Sequence, residues 1–382
     1  MIAFLITTLN VRGGTHKQLL KLVEYTESQG EDFIIITEPV DWNRTYIGFQ
    51  KYKDKIRPIF FKPSKHVFSK VFNTIKRIFI LRKLVKDASV INMHDSGFET
   101  FLPAFIGKKV VWQINDLPYY FHVGVSNGGS TFQDFLRKKY LLFFQKYITA
   151  YTVNVSKNQE RIKNAFHRDA EVFYCGIEPV EVNRNLDDTT LRFKDKKINL
   201  LSSGVFFPYR NYETQISIVK SLVEKGIDAK LNIIGTTKFN VAYANKIQQL
   251  ITEAGLEKRI TICGEVDETE FKRLHKNADV FMFINIDQSW GLAVFEAMSC
   301  GLPVIVSNSV GATEILHDKE DSIFVDPVNV EQIVNEIIHL MNEETWYKKI
   351  SLSASSFHKD YTWDRAYSSK MLNLMNSLKI KK

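Results

Sequence analysis

Short, continuous apolar runs alternate with helix-period segments along almost the whole chain, and this leaves few folds open. In the first half the runs are IAFLITT (2–8), DFIIIT (32–37), VINMH (90–94), KVVWQI (109–114), AYTVNVS (150–156) and EVFYC (171–175). In the second they are INLLSSG (198–204), KLNIIG (230–235), RITICG (259–264), VFMFIN (280–285), PVIVS (303–307) and SIFV (322–325). A strand that is apolar at successive positions is buried on both faces, so helices must cover both sides of a parallel sheet. A chain of 382 residues exceeds one ordinary core and fits two domains of ~150–200 residues. Residues 181–197, EVNRNLDDTTLRFKDKK, are charge-rich and without periodicity and read as a linker. The expected fold class is therefore α/β, with two doubly wound, Rossmann-like parallel-sheet domains over 1–180 and 198–360. The tail 361–382 reads as an amphipathic helix, capped by Thr362 or Asp364, that packs back on the first domain. Ligands of open α/β sheets sit outside the carboxyl ends of the strands, so a cleft between two facing sheets is expected.

Composition narrows the class further. The chain is 45% apolar and 25% charged, an ordinary globular balance. Cys175, Cys263 and Cys300 are odd in number, widely spaced and set in apolar context. They make neither a disulfide framework nor a metal box, which points to a reducing, cytoplasmic compartment. The opening MIAFLITTLNVRGG has no basic leader region and reads as a buried strand rather than a signal peptide. No run reaches the ~18–20 apolar residues of a spanning helix. The net charge of +8 is uneven, since residues 51–86 hold twelve Lys/Arg against Asp54 alone. Within this, residues 65–87 interleave Phe68, Phe72, Ile75, Phe79 and Leu84 with basic residues at roughly helical spacing. That is the make-up of a helix lying on an anionic leaflet, and equally of a core-packed helix with a basic outer face. No nucleic-acid-binding module accompanies the charge, so nucleic acid is not an expected partner.

The most informative stretch is DQSWGLAVFEAMSCGLPVIV (287–306). It reads as a loop, a helix starting at Gly291, a stop at Gly301 and Pro303, and a strand. A helix N-terminus at the carboxyl edge of a parallel sheet offers free N–H groups and the positive end of the helix dipole to a phosphate or polyhydroxylated ligand. Gly291 permits close backbone approach. Glu296 lies about one and a half turns in, where a carboxylate can accept from a vicinal diol. Taken alone, the same residues fit a helix-surface carboxylate between ordinary caps.

GLAVFEAMSCGLPVIVSNSVGATEIL resembles the donor-binding segment of retaining GT-B glycosyltransferases, glycosyltransferase family 4, through Glu296, Ala297, Met298, Gly301, Pro303, Val304, Gly311 and Glu314. The resemblance implies a GT-B fold and implies that Glu296 binds the ribose of a nucleotide sugar. It places the backbone of Trp290, Gly291 and Leu292 at the sugar and diphosphate. Gln288 stands where the family has a first acid and would face the sugar hydroxyls. In LLSSGVFFPYRNYETQI (201–217), Gly204 ends a strand, Val205 replaces the family's arginine, and Arg210 matches its second cation. Arg210 would neutralise the diphosphate leaving group, with help from Lys238; the alternatives are a helix-cap arginine and a surface lysine. Gly13 and Gly14 resemble the family's glycine loop at the donor phosphate and acceptor. His16 beside them reads as a helix-surface histidine.

At the strand ends, His94 and Asp95 are either sugar or acceptor contacts or a capping pair. Asn115 stands where many family members carry a histidine, with Asp116 beside it, so these two are the polar candidates nearest the reacting carbon. No D-x-D triplet and no Cys/His cluster occurs, so neither a metal nor a cofactor is expected. The expected activity is retaining transfer of a hexose-type sugar from a nucleotide diphosphate sugar to a saccharide or lipid-linked hydroxyl acceptor. Its expected setting is cell-surface polysaccharide or glycolipid synthesis at the inner face of the cell membrane. The alternatives are a nucleotide-sugar epimerase on the same fold and a non-catalytic binder of a nucleotide sugar or glycan.

Overall fold

A computed structural model describes residues 1–60, 67–115, 117–121, 131–287 and 290–380. Asp116 and Gln288 therefore lie outside the described residues. Two compact units are formed, Met1–Gly176 with Trp363–Lys382, and Ile177–Thr362.

The first unit is a seven-stranded parallel sheet of β1 (Ile2–Leu5), β2 (Phe33–Thr37), β3 (Ile56–Pro58), β4 (Val90–Met93), β5 (Lys109–Ile114), β6 (Ala150–Val153) and β7 (Ala170–Val172). Its order is β3-β2-β1-β4-β5-β6-β7. The second is a six-stranded parallel sheet of β8 (Lys197–Ser203), β9 (Asp228–Ile234), β10 (Ile260–Gly264), β11 (Val280–Phe283), β12 (Val304–Ser307) and β13 (Ile323–Val325). Its order is β10-β9-β8-β11-β12-β13. Every residue of β1, β2, β4, β11 and β12 is buried, as strands covered on both faces must be.

Each order reverses once, between β1 and β4 and between β8 and β11. At such a point the helices leave to opposite faces and open a crevice at the carboxyl edge.

Residues 181–197 are more than a linker. Leu186–Lys194 is a helix, capped by Asn185 accepting from the Asp187 N–H, with Asp187 and Asp188 in its first turn and Arg192 and Lys194 in its last. Charges so placed complement the helix dipole. Phe193 joins the core of the second unit, and Arg192 pairs with the buried Asp279. Just before it, Arg184 donates to the Ala278 carbonyl at 2.9 Å, to the Tyr347 hydroxyl at 3.0 Å and to the Gly301 carbonyl.

The tail returns to the first unit. A π-turn, Asp364–Ser368, leads into the helix Ser369–Ile380, with Tyr367, Met371 and Met375 fully buried. Lys379 reaches Glu31 at 2.8 Å. The return is close-fitting, since a Cβ on Gly176 would fall 2.1 Å from the Trp363 Cα.

Candidate functional site

In the second unit, the loops after β8 and β11 meet at the switch point. β8 is followed directly by Gly204, whose carbonyl accepts from the Tyr212 hydroxyl at 2.8 Å. Behind it Gly235, at φ +151, touches Gly204 so closely that a Cβ there would lie 1.9 Å from the Gly204 oxygen. The loop then turns through a 3-10 segment, Pro208–Arg210, and a left-handed Asn211 into the helix Tyr212–Glu224. Asn211 fixes that turn by donating to the Pro327 carbonyl at 2.8 Å.

This conformation lays the Arg210 guanidinium across Gly204, where any side chain would collide with it at 2.5 Å. Its guanidinium carbon stands 5.2 Å from the Tyr209 ring centroid and 5.4 Å from that of Phe283. Among the described residues no carboxylate pairs with Arg210, and its Nε is buried without a hydrogen-bond partner. A half-buried cation set against aromatic rings, with no carboxylate partner among the described residues, can take an external anion. Lys238 is differently placed. Its ammonium is bonded to Glu265 at 2.7 Å on the surface, with the side chain 78% exposed.

The loop after β11 is tied down on both sides. The Asn285 carbonyl accepts from Ser307 and Ser309, the Ile286 N–H donates to the Tyr209 carbonyl at 2.9 Å, and the Ala312 N–H donates to the Trp290 carbonyl at 3.0 Å. Trp290 stacks on Phe295 with 5.0 Å between centroids. Gly291, at φ +98, caps the helix Leu292–Ser299. A Cβ on Gly291 would lie 2.9 Å from the Phe283 ring, so no larger residue fits there without displacing it. Arg210 and the start of this helix thus share one aromatic platform, Phe283, which brings a fixed cation beside free helical N–H groups. Glu296 is half-buried in the second turn of the helix.

In the first unit, the sequence-marked residues gather at the β1/β4 switch point. Gly13 is extended, at φ -119, and caps the helix Gly14–Ser28. Neither Gly13 nor Gly14 adopts a positive φ, so the expected glycine turn is an extended entry into a helix. Asp95 divides its carboxylate between two backbone donors, Thr7 N–H at 2.8 Å and Gly97 N–H at 3.1 Å. It acts as a cap joining the β1 and β4 loops.

His94 is fully buried, with Nδ1 3.2 Å from the Asn92 Oδ1. His16 is half-buried rather than on the helix surface. Asn115 donates to Thr15 Oγ1 at 3.1 Å and to Gln18 Oε1 at 3.0 Å, and accepts from Gln113 at 2.9 Å. The buried Thr152 extends the row by donating to Gln113 at 2.7 Å. This polar row inside an apolar sheet was not evident from the sequence. Its only signals are a glutamine, an asparagine and a threonine in otherwise apolar strands.

Burial sets a pH dependence. It holds the His94 imidazole down to about 3, an effect to which nearby His16 adds, and holds His275 in the second unit down to about 4. His16 is lowered for the same reason. Unfolded, each takes a proton near pH 6.5. Between that pH and the folded value the unfolded chain binds more protons, so stability falls as pH falls, by up to about 1.4 kcal/mol per unit and per group. The melting temperature is expected to decline steadily from pH 6.5 to 4, and His275→Gln should make the decline shallower. Glu99, its carboxyl pushed up to about 7 by burial, contributes the opposite slope. The deciding comparison is therefore between proteins: parallel profiles for wild type and His275→Gln would refute the buried, neutral assignment of His275.

Residues 183–356 match the family model for glycosyl transferases group 1. An uncharacterized glycosyltransferase of Methanocaldococcus jannaschii is 25% identical over 58% of this chain and 59% of its own length. The O-antigen chain mannosyltransferase B of Escherichia coli is 27% identical over 30% of each chain. The chain thus spans less than two thirds of the length of either relative. Among solved structures, a glycosyltransferase from Rickettsia africae superposes with a TM-score of 0.78 at 16% identity, covering 100% of this chain and 99% of its own. The Anabaena protein HepE, in complex with UDP-glucose, does so with a TM-score of 0.77 at 14% identity, covering 98% and 99%. These likenesses establish the two-domain GT-B fold. Through residues 183–356, a little under half of its length, the chain is similar to the glycosyl transferases group 1 family.

Proposed function

We propose that the protein transfers a sugar from a nucleotide diphosphate sugar to a hydroxyl acceptor, with retention at the anomeric carbon. The observation that carries this is Arg210, a half-buried guanidinium with no carboxylate partner among the described residues, set on the same Phe283 ring as the helix that starts at Gly291. In this reading the diphosphate lies between Arg210 and the N–H groups of Gly291 and Leu292, with Gly204 leaving room beside it. Glu296 takes the ribose hydroxyls. The backbone at Trp290 and the amide of Gln288 would serve the sugar, and Gly13, Gly14, Asn115 and Asp116 the donor phosphate and the reacting centre.

As the bond from the anomeric carbon to the diphosphate oxygen breaks, the acceptor oxygen bonds to that carbon on the same face. Its proton passes to the departing phosphate oxygen. No enzymic nucleophile, metal or cofactor enters. Charge grows on the leaving diphosphate, so a fixed cation and aligned N–H groups favour the transition state over the ground state. We place the acceptor among the saccharides or lipid-linked saccharides of cell-surface polysaccharide or glycolipid synthesis, at the inner face of the cell membrane. Residues 65–87 would be the contact with anionic lipid.

The test is a thermal-shift panel of UDP-, GDP- and ADP-sugars, starting with UDP-glucose. A donor at 100 times its Kd should add about 2.7 kcal/mol of stability. If no nucleotide sugar shifts the transition, and none is transferred or hydrolysed, the proposal fails.

A further inference from the structure

Two helices of the first unit carry apolar stripes on the side turned to water. In Val67–Leu84, Val71, Phe72, Ile75 and Phe79 are exposed at helical spacing, Phe72 and Phe79 each at 68%. Leu81 and Val85 meanwhile enter the core. In Thr131–Phe144, Phe132, Phe135, Leu136 and Phe143 follow the i, i+3, i+4, i+11 positions of one face, Phe132 at 66% and Phe143 at 60%, while Leu141 faces inward. Surface helices ordinarily turn one apolar stripe to the core and polar residues outward. Two outward stripes of this size mark an interaction surface.

The stripes lie on the same side of the sheet. The crossovers β3 to β4, β4 to β5 and β5 to β6 all step in one direction along the order β3-β2-β1-β4-β5-β6-β7. Right-handed connections then put the two helices, and the 3-10 segment Glu99–Phe105 between them, on one face. Both helices pack against that segment, and the Tyr140 hydroxyl donates to the Thr100 carbonyl at 2.8 Å.

The charge around the stripes is predominantly basic. Val67–Leu84 contains five Lys/Arg and no acid, and Thr131–Phe144 contains three Lys/Arg and one acid, Asp134. Lys139 stands 5.5 Å from the Phe135 ring centroid and Lys146 4.4 Å from that of Phe143. An ammonium beside an exposed ring can reach a headgroup phosphate while the ring enters the acyl boundary. Basic margins would repel a second copy of the same face. Among the described residues no helix is long and apolar enough to cross a membrane.

We infer that Val67–Leu84 and Thr131–Phe144 form one two-helix docking face for an anionic lipid bilayer. This widens the membrane contact proposed above and rests on that reading, but not on the sugar-transfer reading. The experiment is co-sedimentation of the full-length protein with phosphatidylcholine vesicles, with and without about a third phosphatidylglycerol, alongside F72E/F79E/F135E/F143E. The wild type should bind the anionic vesicles, release them at high salt, and ignore neutral ones. The variant should bind about tenfold less or weaker still. The four rings are solvent-exposed, so its melting temperature and its nucleotide-sugar thermal shift should match the wild type.

Equal vesicle binding by wild type and variant would overturn the face. So would absence of binding by the wild type, whether it sediments as a monomer or as a dimer that the variant dissolves. A lost donor shift in both proteins, with vesicle binding intact, would refute the sugar-transfer reading and leave this one standing.

Discussion

Arg210→Ala is expected to lower turnover about 10²–10³-fold while weakening donor affinity about tenfold or less. The asymmetry follows from when the charge is needed. In the bound donor the diphosphate charge is spread and partly offset by the N–H groups at Gly291 and Leu292; as the sugar leaves, charge concentrates on the leaving oxygen. A guanidinium already held beside Phe283 and Tyr209 meets that charge without reorganising. Val205 occupies the position where the resemblance leads one to expect another arginine, so a larger share falls on Arg210.

Arg210→Lys should recover only part of the loss, because an ammonium cannot stack as a plane on two rings or present a two-pronged donor. The measurement is single-turnover transfer at saturating donor, with the melting temperature followed in parallel, since Arg210 also packs over Gly204. Normal turnover in a folded Arg210→Ala protein would remove this residue from the chemistry.

Much of the scaffold around Arg210 was legible beforehand for a physical reason. Parallel strands covered on both faces are largely apolar, and twelve such runs stood out; each of the twelve holds a strand. β3 did not, because an edge strand of three residues with only Ile56 buried, and with Arg57 and Pro58 exposed, carries no apolar run. The helix Leu186–Lys194 was missed because one aromatic, Phe193, anchors it. Its signal was electrostatic, acids at one end and bases at the other behind an asparagine cap, and apolar periodicity does not register that.

The site divides in the same way. Gly204, Arg210 and Gly291 sit where a strand ends and a helix begins, and local residue type announces such places. Phe283 had read only as a strand residue. What makes it a platform is a through-space relation, Arg210 arriving from the β8 loop and Gly291 closing on the ring. Gly235 is of the same kind, its absent side chain making room for Gly204 on the neighbouring strand. For Asp95 the two readings were a ligand contact and a cap, and both of its oxygens are in use on backbone N–H groups.

The second large effect is expected at Glu296. Glu296→Ala should weaken nucleotide binding about 10- to 100-fold, the loss of about 1.5–3 kcal/mol for hydrogen bonds to a charged acceptor. The helix Leu292–Ser299 fixes where this carboxylate can act, because Gly291 sets its first turn against Phe283 and Val310. A half-buried carboxylate one turn further on accepts well from paired hydroxyls and poorly from anything that is only an acceptor. The ribose role therefore makes a sharper claim than a loss of affinity, which a disturbed helix would also produce. The wild type should bind a 2′-deoxynucleotide more weakly than the ribonucleotide, and Glu296→Ala should bind the two alike. The coupling between side chain and hydroxyl in that cycle isolates their direct interaction. Equal discrimination in both proteins would mean that the carboxylate does not touch the ribose, even if the variant binds less.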